Sequence, residues 1–204
     1  NVRFVREHIM KLIMPHVDDM MVDKLGNLIC RRKGNKPSIM IAAHMDEIGL
    51  IVKRIEDNGR GYISALGGIT TLNVVGQTVV IHGKKKQVKG IITTKEINND
   101  YEVTELPEIN DVFVDTGLSQ KQLQAAGVQI GSYLGMERAD HELGNPEMIA
   151  GKALDDRIGG FALIEVARRI KKTPHELFFV FTIQEEVGLY GQKFPHTRLN
   201  RTWP

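Results

Sequence analysis

The sequence predicts an α/β layer protein interrupted by a β-rich insert, and three observations predict it. Residues 39–43 (IMIAA) and 177–183 (LFFVFTI) are runs of the kind found in strands buried on both faces of a sheet. Residues 2–12 and 157–172 carry apolar side chains at spacings of three and four, the period of amphipathic helices. Between the two ends, from Ile48 to about Ile149, short β-branched runs alternate with glycine turns, the texture of a small sheet or barrel.

In chain order, Val2, Val5, Ile9, Leu12 and Ile13 form the first helical stripe, and Pro15 ends it because proline cannot donate to the helix. KLGNLICRRKGN reads as a strand leaving a Gly-Asn turn, and residues 39–43 follow as a buried strand. In the middle, TVVIHG and VKGIITT are strands, and the lysines of HGKKKQVKG mark the tip of the hairpin between them. No aromatic residue interleaves with those lysines, which argues against a nucleic-acid contact there. One short helix is expected after Ser119, with Gln122 placed three residues on to complete a capping box. Ile158, Phe161, Ala162, Val166, Ala167 and Ile170 then define a second long helix before the strand at 177–183. The simplest arrangement is an α/β layer domain made from residues 1–56 and 149–204, with a β-rich module at 57–148 inserted into it.

An apolar fraction of 42% over 204 residues supports a real core. Lys plus Arg number 27 against 25 Asp plus Glu, so a formal charge of +2 leaves no large field to recruit nucleic acid or anionic lipid. Neither is expected as a partner. A single cysteine, Cys30, excludes an internal disulfide framework and suits a reducing compartment. No apolar stretch reaches the roughly 20 residues that span a bilayer, and the N-terminus lacks a signal-peptide pattern, so a cytoplasmic location is expected.

Three polar clusters sit where an α/β sheet places its chemistry. IMIAAHMD closes one buried run with His44 and Asp46, and LFFVFTIQEE closes the other with Glu185 and Glu186. Ligands of open α/β sheets bind beyond the carboxyl ends of strands, where loops carry polar side chains without burying them. In GKALDDRIGG, Asp155 and Asp156 open a helix, where a negative charge meets the positive end of the dipole. Taken singly, His44 reads as a hydrogen-bonded core histidine, the Asp pair as a helix cap and the Glu pair as a solvated turn. Taken together, one imidazole and several carboxylates form a donor set for zinc, cobalt or manganese, and a bridging carboxylate allows two ions to share it. Adjacent glutamates suit that chemistry, since one can ligate while the other accepts a proton from a water whose pKa the ion lowers to roughly 7.

AAHMDEIG, GKALDDRIGG and TIQEEVGLYG together resemble the cytosolic metallo-aminopeptidases that assemble into tetrahedral dodecamers, a group that includes glutamyl aminopeptidases and some proteins formerly labelled endoglucanases. VDKLGNLI, ALGGI and VDTGLS add to the likeness, which extends to about Gly191. The resemblance implies a three-layer α/β peptidase domain with an inserted, barrel-like dimerisation domain. It implies two divalent ions per subunit, zinc or cobalt with manganese also compatible. His44 would bind one ion, Asp155 would bridge both, Glu186 would bind the other, Glu185 would be the general base, and Asp46 would orient His44 or the base. The implied activity is removal of N-terminal residues from peptides, by a homo-oligomer of dimers building a dodecamer.

The family pattern also includes an aspartate about twenty residues after the glutamates and a later histidine, and only 18 residues follow Glu186. KFPHTRLNRTWP shows neither helical nor strand period, so His196 receives no ligand role. The expectation is therefore a truncated or frame-disturbed form of a longer enzyme, incomplete in its peptidase domain. Each ion would keep two protein ligands where three are usual for catalytic zinc, leaving metal binding poor and activity weak or absent. Two rivals remain: a glycoside hydrolase using a carboxylate pair without metal, and a non-catalytic assembly module.

Overall fold

The computed structural model describes residues 2–94, 107–137 and 140–191. They form two compact units, one running Ile48–Ile149 and the other drawn from the chain on either side of it. No helix among the described residues is long and apolar enough to cross a membrane.

The discontinuous unit is a four-stranded sheet in the spatial order Asp19–Val22, Leu28–Arg32, His175–Thr182, Asn35–His44. Helix α1 (Val2–Ile13) leads through a 3₁₀ turn at Met14–His16 into β1 (Asp19–Val22), β2 (Leu28–Arg32) and β3 (Asn35–His44). After the second unit the chain returns as helix α3 (Leu154–Arg169) and strand β12 (His175–Thr182). Strand β12 is the hinge of the sheet, antiparallel to β2 and parallel to β3. It alternates cleanly. Leu177, Phe179 and Phe181 join Leu28, Cys30, Ile9, Ile13, Leu163 and Ala167 in one cluster, while Phe178 and Val180 join Ile29 on the other face. A period of two on the strand thus puts both helices on one side of the sheet. Burial pushes the Cys30 thiol up to about 12, so it is an inert core side chain.

Three readings are corrected here. The run at 39–43 is not buried on both faces: β3 is an edge strand of the described sheet, Ile39 is 42% exposed, and only Ala43 and His44 at its end are buried. On α3 the buried face is Gly160, Leu163, Ile164 and Ala167, whereas Ile158 and Phe161 point to solvent. The helix carries apolar side chains around much of its circumference, so spacing alone did not single out the inward face. Strand β4 (Gly49–Ile55), assigned by sequence to the first part of the peptidase domain, belongs instead to the second unit, because it pairs with strands found only there.

That unit is a closed barrel of order β4-β5-β8-β7-β6-β9, where β5 is Gly61–Leu66, β6 Thr78–His82, β7 Gln87–Thr94, β8 Val112–Asp115 and β9 Tyr133–Met136. Closure leaves no unpaired edge, and Leu50, Ile63, Val79, Ile81, Ile92, Val112 and Leu134 fill the interior. The lysine-rich tip joins β6 and β7 as an antiparallel hairpin. Helix α2 (Gln120–Ala125) opens with the expected capping box, in which Ser119 accepts from the Gln122 amide and the Gln122 side chain accepts from the Ser119 amide. A two-residue ladder of β10 (His141–Glu142) and β11 (Ile149–Ala150) follows.

Candidate metal centre

Parallel pairing of β3 with β12 sets His44 beside Thr182, so both strands end on the same side and release their polar residues there. The His44 side chain is only 9% exposed. Its Nδ1 lies 3.1 Å from the Asp46 carbonyl oxygen, which can only accept, so Nδ1 carries a proton and Nε2 faces the site. Nε2 is 3.1 Å from Asp155 Oδ1 and 3.9 Å from Glu185 Oε2. Burial pulls the imidazole pKa down, but the hydrogen bond to Asp155 and the charges of Asp46 and Glu185 outweigh it and hold the value above the ordinary one.

Asp46 works through backbone rather than through the reacting space. Its two carboxylate oxygens accept from the Glu185 and Glu186 amides at 3.4 Å each, and Oδ1 lies 3.6 Å from His44 Nδ1. One side chain therefore braces the histidine and the glutamate pair. Glu186 is pushed above the ordinary carboxylate value, first by burial and then by Glu185, Asp155 and Asp46, against the pull of His44.

The two aspartates of α3 part company. Asp156 Oδ1 accepts from the Gly159 amide at 3.0 Å, the helix-capping role, while Asp155 turns to His44 with its side chain 91% exposed. Both have non-helical backbone angles, and their shared peptide is cis. Ala153 and Gln184, each a step or two before a site carboxylate, sit at φ +59°, in the left-handed region that costs a non-glycine residue on the order of 1 kcal/mol.

Two supporting groups escaped the sequence reading. Glu47 pairs with Lys152 Nζ at 3.2 Å and with Arg157 Nη2 at 3.6 Å, tying the turn after His44 to the entry of α3 on both sides of Asp155. Their signal was adjacency, since Glu47 follows Asp46 and Lys152 precedes the Asp pair within the same motifs. Asn27, in VDKLGNLI, was read only as part of a turn; it is fully buried and bonded to the segment carrying the glutamates.

His44, Glu185 and Glu186 each offer a ligand atom, and these atoms lie within 4.8 Å of one another. Asp155, beside His44, completes a mixed imidazole and carboxylate donor set of the kind that takes zinc, cobalt or manganese. The residues fit a divalent metal. His196 lies outside the described residues.

The family model for M42 glutamyl aminopeptidases matches residues 26–202. The lysyl aminopeptidase of Pyrococcus furiosus is 28% identical over 193 residues, covering 93% of this chain and 56% of its own length. The structure of an aminopeptidase from the archaeon Desulfurococcus kamchatkensis superposes with a TM-score of 0.88 at 32% identity, covering 98% of this chain and 55% of that one. The TET1 peptidase of Pyrococcus horikoshii, described as able to assemble into a tetrahedron or a large octahedral shell, gives 0.85 at 30% identity, with 97% and 60% covered. The chain thus spans little more than half the length of these relatives. Motifs, fold and family match agree, and the chain belongs to the M42 glutamyl aminopeptidase family.

Proposed function

We propose that this chain carries the metal-binding half of an aminopeptidase site, hydrolysing N-terminal residues from peptides. The observation that carries the reading is the convergence of His44, Glu185 and Glu186 ligand atoms within 4.8 Å, with Asp155 Oδ1 3.1 Å from His44 Nε2. His44, Asp155 and Glu186 would hold two divalent ions, Asp155 contributing to both, with zinc or cobalt preferred and manganese compatible. Bound there, divalent ions supply an activated water and polarise the scissile carbonyl. Glu185, although its carboxylate also lies within that cluster, would act as the general base, accepting the proton of the attacking water and delivering it to the departing amine. Asp46 is a positioning residue, holding the His44 ring and the amides of both glutamates. The barrel is the surface through which subunits pair, in an oligomer of the shell-forming kind, and the compartment is the cytoplasm.

Equilibrium dialysis against cobalt(II) tests the reading. Up to two ions per chain should be retained, with Glu186→Gln and His44→Ala losing them and Glu185→Gln retaining them. Hydrolysis of amino-acyl anilides should require a free amine and vanish with chelator and in Glu185→Gln. Unchanged cobalt retention in His44→Ala would refute the site, and chelator-resistant cleavage of β-glucan without cleavage of anilides would favour the glycosidase.

A further inference from the structure

The glutamate pair rides on a loop whose two ends touch. Gly191 returns so close to Ile183 that a Cβ at Gly191 would stand 1.8 Å from the Ile183 carbonyl oxygen. Inside the loop, the Gly188 and Leu189 amides donate to the Glu185 carbonyl at 3.1 and 2.9 Å, and the Tyr190 amide donates to the Gln184 carbonyl at 3.1 Å. Gln184 and Leu189 both take left-handed backbone angles, φ +59° and +60°, conformations that persist only where surroundings impose them.

A single side chain holds the neck. Asn27 Oδ1 accepts from the Ile183 amide at 2.9 Å, and its Nδ2 donates to the Gly191 carbonyl at 3.0 Å, so one carboxamide binds both ends of the loop. The second Nδ2 hydrogen goes to Asp23 Oδ2 at 2.9 Å, which fixes which way the amide points. Asp23 is itself immobilised, because its Oδ1 accepts from the amides of Leu25, Gly26 and Asn27. Asn27 is fully buried and Asp23 nearly so, and neither belongs to the donor set around His44. A buried amide that satisfies three partners is expensive to disturb, since each orphaned group loses its hydrogen bond where water cannot replace it.

We infer that Asn27, oriented by Asp23, is the positioning residue of the glutamate loop, fixing Glu185 and Glu186 for metal through the neck at Ile183 and Gly191. The metal half of this inference rests on the proposed function; the loop half does not. Aspartate at this place keeps the acceptor for Ile183 but loses the donor for Gly191 and opposes Asp23. Exchanging both residues, as Asp23→Asn with Asn27→Asp, restores the contact between them and still leaves Gly191 without a donor.

The experiment is hydrogen exchange of loop 183–191 in the metal-free protein, with cobalt(II) affinity and its d–d absorption spectrum on the same variants. Asn27→Asp should speed exchange selectively in the loop, weaken cobalt binding by about tenfold or more, and alter the spectrum. The double exchange should restore protection in the 23–27 turn but not in the loop. Glu176→Gln, at the far end of β12, serves as a control of comparable instability and should leave cobalt affinity within about twofold of wild type. If Asn27→Asp does not fold, Gly191→Ala opens the neck from the loop side and should reproduce the loop effects. The inference is overturned if the loop stays protected in these variants, or if Glu176→Gln loses as much cobalt affinity as Asn27→Asp. Failure of the wild-type protein to take cobalt would instead sink the metal reading, while loop exchange still decides the role of Asn27.

Discussion

Glu176 opens β12, the strand whose other end delivers the glutamate pair, and replacing it with glutamine should measurably loosen the sheet. Its carboxylate is 6% exposed and accepts from Arg31 Nη2 at 2.6 Å, Arg31 Nε at 2.7 Å, Ser38 Oγ at 2.5 Å and Lys36 Nζ at 2.9 Å. Those donors, Ser38 and Lys36 foremost and Arg31 after them, hold its pKa at about 2 against an ordinary 4.5. The gap corresponds to about 3 kcal/mol favouring the charged form. Lys36 is 75% exposed and largely screened, which brings the expected contribution at pH 7 to about 2 kcal/mol. Glutamine retains one acceptor and sets an amide donor against a donor, so the loss should be about 2–3 kcal/mol, or a melting temperature lower by about 4–10 °C. Urea denaturation followed by circular dichroism reads it as a midpoint shift at constant m. The pH dependence carries the sign. A depressed carboxyl adds stability that is complete above the unfolded value and disappears as pH falls toward the folded one. The gap between wild type and Glu176→Gln should therefore hold from pH 7 to 5 and close between 4.5 and about 2. A gap below about 0.5 kcal/mol at pH 7, or one that persists undiminished to the acid limit, would refute the reasoning.

Other expectations are as direct. Metal uptake should release protons and weaken below the raised His44 pKa, because the proton shared between Nε2 and Asp155 must leave first; calorimetry in buffers of differing ionisation enthalpy measures it, and a proton-neutral titration would contradict it. Glu47→Gln should weaken cobalt binding less than His44→Ala, since it frees Lys152 and Arg157 beside Asp155 without removing a ligand; equal losses would mean Glu47 itself coordinates. Phe179→Ala, at a fully buried position central to β12, should cost about 3–5 kcal/mol in urea unfolding, and a cost under 1 would mean the sheet core is not packed as described.

Much of this protein was legible in one dimension. Helix α1 announces itself by spacing, the α2 cap by Ser119 and Gln122, and the lysine hairpin by its turn, because each is a local device closed within a few residues. The site clusters were legible for a related reason: polar residues that follow an apolar strand directly have nowhere to go but the strand's end.

What the sequence alone determined was therefore the inventory and its order, with His44 and Asp46, Asp155 and Asp156, and Glu185 and Glu186 each at the edge of an element. What only the tertiary structure decided was orientation. Which aspartate of the pair turns to His44 depends on non-helical angles at Asp155 and Asp156, and which face of α3 is buried depends on the sheet beneath it. The demotion of β3 to an edge follows from strand order, and the neck held by Asn27 joins positions 164 residues apart. Local pattern reports the conformation a residue prefers; partners brought together from distant segments have no periodicity to betray them, and only the folded chain sets them in contact.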